Sequence, residues 1–86
     1  MNFFRTEHGF RGTIDNMDDR KIIDYLAGRR RQLNISQEEL GRRIGMSRNH
    51  IGRMERHVIN PTFGVVVRIC EALDISLVLQ EKPEQD

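Results

Sequence analysis

A chain of 86 residues makes one domain with a small core, so pairing with a second copy would add useful stability. The formal net charge of +1 says little about partners, while the single cysteine, Cys70, excludes an intramolecular disulfide and no apolar run approaches the ~18–20 residues that span a bilayer. So small a chain has little room for a catalytic pocket, and no nucleophile or histidine is arranged with Glu7, Asp18 and Asp19, so an enzyme is not expected.

Arg5, Glu7, His8 and Arg11 interrupt any signal-peptide pattern at the N-terminus, and a cytoplasmic protein is expected. His8, His50 and His57 have neither ligand spacing nor a cysteine companion, so neither metal nor cofactor is expected. The charge is unevenly spread. Residues 29–57 hold eight Arg and three Glu, while the segments before and after carry small acidic surpluses. A basic block between acidic ends suggests a local polyanion site, and arginine suits phosphates and guanine edges better than lysine does.

Residues 1–17 contain Phe3, Phe4 and Phe10 without a clear period and read as an irregular arm. A first helix is expected from about Asp18. Asp18 and Asp19 suit its N-terminus, Ile22, Ile23, Leu26 and Leu33 form its apolar stripe, and Asn34 ends it. Arg29, Arg30 and Arg31 near its end serve either a phosphate or a solvated helix terminus. A second helix opens on a capping box, Ser36 with Glu39, turns Leu40 and Ile44 to the core, and stops at Gly45 in a left-handed conformation. Ser47 caps a third helix only two residues later, over about Arg48 to Arg56, with Ile51 and Met54 as anchors. Two short helices joined so closely must turn sharply, which is the helix-turn-helix arrangement.

Asn60-Pro61-Thr62 leads into a fourth helix with the stripe Phe63, Val66, Val67, Cys70 and Leu73. Cys70 reads as core packing. Val65 and Ile69 add a second apolar edge, wider than a small core needs, and are expected to face a partner. Ile75 to Glu81 is β-branched and partly alternating, so it reads as a strand. A lone strand needs a mate, and the same strand of a second subunit supplies one. Ile75, Leu77, Val78 and Leu79, with Val65 and Ile69, are therefore the expected dimerisation residues. Residues 82–86 read as a disordered tail.

On a helical wheel, Asn49, Gly52, Arg53 and Arg56 lie roughly opposite Ile51 and Met54, with Arg48 at the tip beside Ser47. Arginine grips guanine O6 and N7 with two bonds, and asparagine does the same for adenine N6 and N7. Gly52 would let the helix approach DNA closely. Arg48, Asn49 and Arg53 are the expected base readers. Gln37, at the positive first turn of the second helix, Arg42 and Arg43 on its exposed side, and Ser47, His50 and Arg56 are the expected phosphate contacts, His50 alternatively flanking the core. The basic face carries no stacking aromatics, which weighs against single-stranded RNA.

The ordered set Ser36-Gln37-Glu38-Glu39-Leu40-Gly41, Ile44-Gly45-Met46-Ser47, Ile51, Met54-Glu55, Pro61 and Ala72-Leu73-Asp74-Ile75-Ser76 resembles the lambda repressor/Cro-like, or XRE, helix-turn-helix family over residues 22–79. The resemblance implies an all-α bundle of four or five helices and homodimers repressing from palindromic operators. It places base reading on Arg48, Asn49 and Arg53 and a phosphate on Gln37. Three positions depart from the family. Gly41 stands where alanine is usual, which should loosen the helix by up to ~1 kcal/mol. Glu55-Arg56-His57 replaces Glu-Asn-Gly, which puts His57 in a left-handed turn. The 75–81 strand replaces a fifth helix. That last trait is similar to the HipB-like antitoxins, which bind a kinase-like toxin as well as their operator. Two functions stay open: DNA binding as the whole task, or a toxin-neutralising interaction module with DNA binding secondary.

Overall fold

The computed structural model describes residues 19–78. Four helices follow one another: α1 (Asp19–Gln32), α2 (Gln37–Ile44), α3 (Arg48–Glu55) and α4 (Phe63–Ala72). α2 packs against both α3 and α4, and α1 packs against α3. The core is Leu26, Leu40, Ile44, Ile51, Met54, Val65, Ile69, Cys70, Leu73 and Ile75, with Leu40, Ile51, Met54 and Leu73 the most deeply enclosed. The expected N-terminal arm and C-terminal tail lie outside the described residues.

The helix boundaries follow local chemistry. Ser36, Ser47 and Thr62 cap α2, α3 and α4, their hydroxyls accepting from the N–H of Glu39 (3.0 Å), His50 (3.1 Å) and Val65 (3.2 Å). Pro61 precedes the cap of α4 and is not its first helical residue. Only half of the expected capping box forms, because the Glu39 carboxylate turns to Arg42 and Arg43.

All four helices stop in the same way. Asn34, Gly45, His57 and Asp74 adopt φ of 60°, 77°, 65° and 61°. The N–H of the next residue then returns to the carbonyl five positions back: Ile35 to Arg30, Met46 to Gly41, Val58 to Arg53 and Ile75 to Cys70. Each left-handed residue is followed by an apolar one, and Ile35, Met46 and Ile75 fold back onto the core. Val58 remains exposed.

Gly41 has a sharper purpose than the expected loosening of α2. A Cβ there would stand 2.3 Å from the Met46 carbonyl oxygen. The turn between α2 and α3 therefore crosses directly over the Gly41 backbone, and alanine does not fit.

The fourth helix is rotated from the expected reading. Val65 and Ile69 are buried in the chain's own core with Cys70 and Leu73, and Ile75 joins them, so none of the three offers its side chain to a partner. Phe63 is exposed and Val66 and Val67 are half-buried, so the outer apolar edge is theirs. Among the described residues no strand forms. Ile75 to Val78 run without regular structure, Leu77 packs against the core and Val78 is exposed. Leu79 lies beyond the described residues.

Candidate nucleic-acid interface

The sharp α2–α3 turn leaves one face of α3 outward. Ile51 and Met54 anchor the other face in the core. Arg48, Asn49 and Arg53 are exposed together, and Arg56 follows at the helix end. Among the described residues, none of these four side chains has a hydrogen bond or ion pair. Three guanidiniums and an amide thus stand exposed, their donors not engaged by any other described residue. Gln37, Arg48, Asn49, Gly52 and Arg56 line a shallow polar cleft between the start of α2 and α3. Gly52 is not bare surface, as expected, but its floor. A Cβ there would lie 3.2 Å from an Arg56 guanidinium nitrogen and 3.6 Å from the Gln37 Oε1. Gly52 is therefore covered by those two side chains.

Beneath the cleft lies a polar cluster. The Arg30 Nε and Nη2 donate to the two oxygens of Glu55 at 2.8 and 2.9 Å, and its Nη1 donates to the Ile35 carbonyl at 2.7 Å. The Gln37 Nε2 donates to the Glu55 Oε1 at 3.0 Å. Both members of the ion pair are about nine-tenths buried. Burial pushes the Glu55 carboxyl upward. The bonds from Arg30 and Gln37, with the charges of Arg30 and Arg31, outweigh it and hold the group below the usual carboxylate range. Arg30 is thus removed from the possible phosphate contacts, while Arg31 is exposed and Arg29 reaches Gln32 at 3.4 Å. The cluster was missed in the sequence because its charged partners are 25 residues apart. One signal was available: Arg30 continues the inward stripe of Ile23, Leu26 and Ala27, where a charge must have a partner.

Arg42 and Arg43 lie on the exposed side of α2, as expected. Both pair with Glu39, Arg43 at 3.0 Å, and Arg43 also donates to the Ala72 carbonyl at the end of α4 at 3.2 Å. Those two guanidinium bonds hold Glu39 below its ordinary carboxyl range. Arg43 is therefore turned toward α4 and ties two helices together, while Arg42 stays largely solvated. Ser47 is exposed with its oxygen engaged as a cap, and His50 is half-buried beside it. His57 in its left-handed turn meets Asp24 at 2.8 Å across to α1. Among the described residues, no cluster of ligands could hold a metal ion, and no helix is long and apolar enough to cross a membrane.

The helix-turn-helix family model matches residues 26–80. An uncharacterized HTH-type transcriptional regulator of Sinorhizobium fredii, y4dL, is 36% identical over 61 residues, covering 71% of this chain and 31% of that protein. Antitoxin HigA1 of Mycobacterium tuberculosis is 28% identical over 69 residues, 79% of this chain and 46% of that protein. The chain thus spans about a third to a half of the length of these curated relatives. Among solved structures, a HipB complex with an O2 20mer superposes with a TM-score of 0.72 at 21% identity, over 87% of this chain and 100% of that one. A HipB–O1–O2 complex gives 0.69 at 22% identity, over 84% and 100%. On the matched span and the shared fold, the chain belongs to the helix-turn-helix family, in the lambda repressor/Cro-like, or XRE, branch that its motifs resemble.

Proposed function

We propose that this protein is a dimeric repressor that binds a near-palindromic operator in the cytoplasm and is not an enzyme. The observation that carries the reading is the outward face of α3, where Arg48, Asn49 and Arg53 stand exposed without partners among the described residues. These three read base edges in the major groove. Arg42, Ser47, His50 and Arg56 contact phosphates, and so do the Gln37 and Glu38 N–H groups at the first turn of α2, which no helix carbonyl can reach. Two subunits pair through the segment following Ile75, up to residue 81, and set their recognition helices ~34 Å apart. The likeness in fold to HipB, solved in complexes with an O2 20mer and with O1–O2, supports this docking mode. Selection from a random double-stranded library at physiological salt tests it. The expected product is a palindromic consensus, and a featureless pool would overturn it.

A second reading is favoured by the antitoxin HigA1 among the relatives: the protein represses its own operon and also neutralises a toxin encoded beside it, of the kinase-like class that the HipB-like resemblance implies. Co-expression with the product of an adjacent gene would then restore growth, and a neighbourhood without such a gene would sink this reading alone.

A further inference from the structure

The amide of Gln37 has an accepting and a donating end, and the two differ in what they can meet on DNA. Glu55 decides which end faces outward. An ionised carboxylate only accepts, so the amide must turn its NH2 group to it, and Nε2 stands 3.0 Å from the Glu55 Oε1. Glu55 cannot rotate to release it, because both its oxygens are held by Arg30, and Arg30 is held by the Ile35 carbonyl. The Gln37 carbonyl oxygen is left in the cleft above Gly52 with no donor among the described residues. A phosphate would meet that oxygen's lone pairs with repulsion and could be served only by the second N–H of the amide, the one not given to Glu55. The rest of the cleft is rich in donors, from Arg48 and Arg56, which match guanine O6 and N7 or thymine O4 but not an amino group.

We propose that the side-chain carbonyl of Gln37, aimed by Glu55, accepts a hydrogen bond from the exocyclic amino group of a base in the major groove, adenine N6 or cytosine N4. Gln37 is then a specificity-determining residue, and Glu55 is a positioning residue that acts through it. The phosphate at the first turn of α2 is left to main-chain N–H groups, which substitution of the side chain does not remove. The inference rests on the DNA-binding reading above.

The test uses the selected operator with single-base analogues that lack the amino group. Purine replaces each adenine and 2-pyrimidinone replaces each cytosine in a half-site. At one position, removing the amino group should weaken the wild type roughly 5- to 150-fold and leave Gln37→Ala unaffected. The analogue that has this effect tells adenine from cytosine. Glu55→Gln, which can hold the Gln37 amide in either orientation, should broaden the base preference at that same position in protein shown to be folded by circular dichroism. Should that variant not fold, the analogue comparison on Gln37→Ala still decides. A uniform loss on all sequences for Gln37→Ala, with a salt slope lower by about one, would return Gln37 to the phosphate and overturn the proposal. If no analogue separates wild type from Gln37→Ala while the consensus stands, the proposal fails alone. Absence of any consensus removes it together with the DNA-binding reading.

Discussion

Arg30 and Glu55 leave water together, and neither can do so alone. Replacing Glu55 by alanine strands the Arg30 guanidinium inside the bundle, and a loss on the order of 3 kcal/mol is expected in urea unfolding. A loss below about 1 kcal/mol would mean that water reaches Arg30 readily. On the opposite side of α3, Arg53→Ala removes an exposed side chain that has no partner among the described residues, so the fold should keep its stability while operator binding weakens by roughly 1–3 kcal/mol and one base position relaxes. Equal weakening on random DNA would show that Arg53 grips the backbone. The outward face of α3 was legible in the sequence because a wheel around Ile51 and Met54 fixes which of its positions point away from the core. The Arg30–Glu55–Gln37 cluster was not, because it joins three helices and has no period. The Arg43 bond to Ala72 was hidden for the same reason, since that partner is a main-chain carbonyl on another helix.

At the scale of the element, four helices share one stopping geometry, and three use a residue with a side chain where glycine would sit without strain. A left-handed L-residue costs about 1 kcal/mol. Asp74→Gly is therefore expected to raise the unfolding free energy by up to about that amount, read from the urea midpoint. An unchanged or lower midpoint would show that the Asp74 side chain supports the turn. Gly41→Ala should act in the opposite sense. Helix propensity alone would make it favourable, but the Cβ meets the Met46 carbonyl, so a net loss of more than about 1 kcal/mol is expected. Stabilisation would mean that the α2–α3 turn can lift away. The caps at Ser36 and Ser47 and the stops at Asn34 and Gly45 could be read from residue type, since each is a local hydrogen-bond or φ requirement, and the stop at His57 from the family's Glu-Asn-Gly pattern. The close approach at Gly41 could not, because the clashing atom belongs to the next turn. The face of α4 was legible in part: Cys70 and Leu73 turn inward as expected, but Val65 and Ile69 join them in place of Phe63 and Val67. Phe63, Val66 and Val67 are as apolar as Val65 and Ile69, so composition cannot say which edge of so greasy a helix turns inward.

For the molecule as a whole, acid is the natural stress. Glu39 and Glu55 both hold their protons more weakly in the fold than the ordinary carboxyl value of 4.5. The stability they contribute is complete above that value and is lost as pH falls below it through their lowered values. The thermal midpoint should thus decline below about pH 4.5, and Glu55→Gln should decline less steeply over the same window. Parallel declines would remove Glu55 from the acid response. Oligomeric state is the other property of the whole. Because Val65, Ile69 and Ile75 are spent inside the subunit, the proposed dimer assigns pairing to the chain after Ile75. Leu77→Pro should yield a monomer by light scattering without loss of helix content. A surviving dimer would move the interface elsewhere, with the exposed Phe63 the next position to change.

The division of α3 bears on descent as well as on binding. Of its eight positions, Ile51, Gly52, Met54 and Glu55 are occupied with holding the bundle together, and Arg48, Asn49, His50 and Arg53 are not. Substitutions at the exposed members of that second set typically shift stability by no more than about 0.5 kcal/mol. After a gene duplication, a copy could drift to a new operator through those few positions while its fold stayed sound. Sister regulators in one genome would become insulated from each other without any loss of solubility or expression along the way.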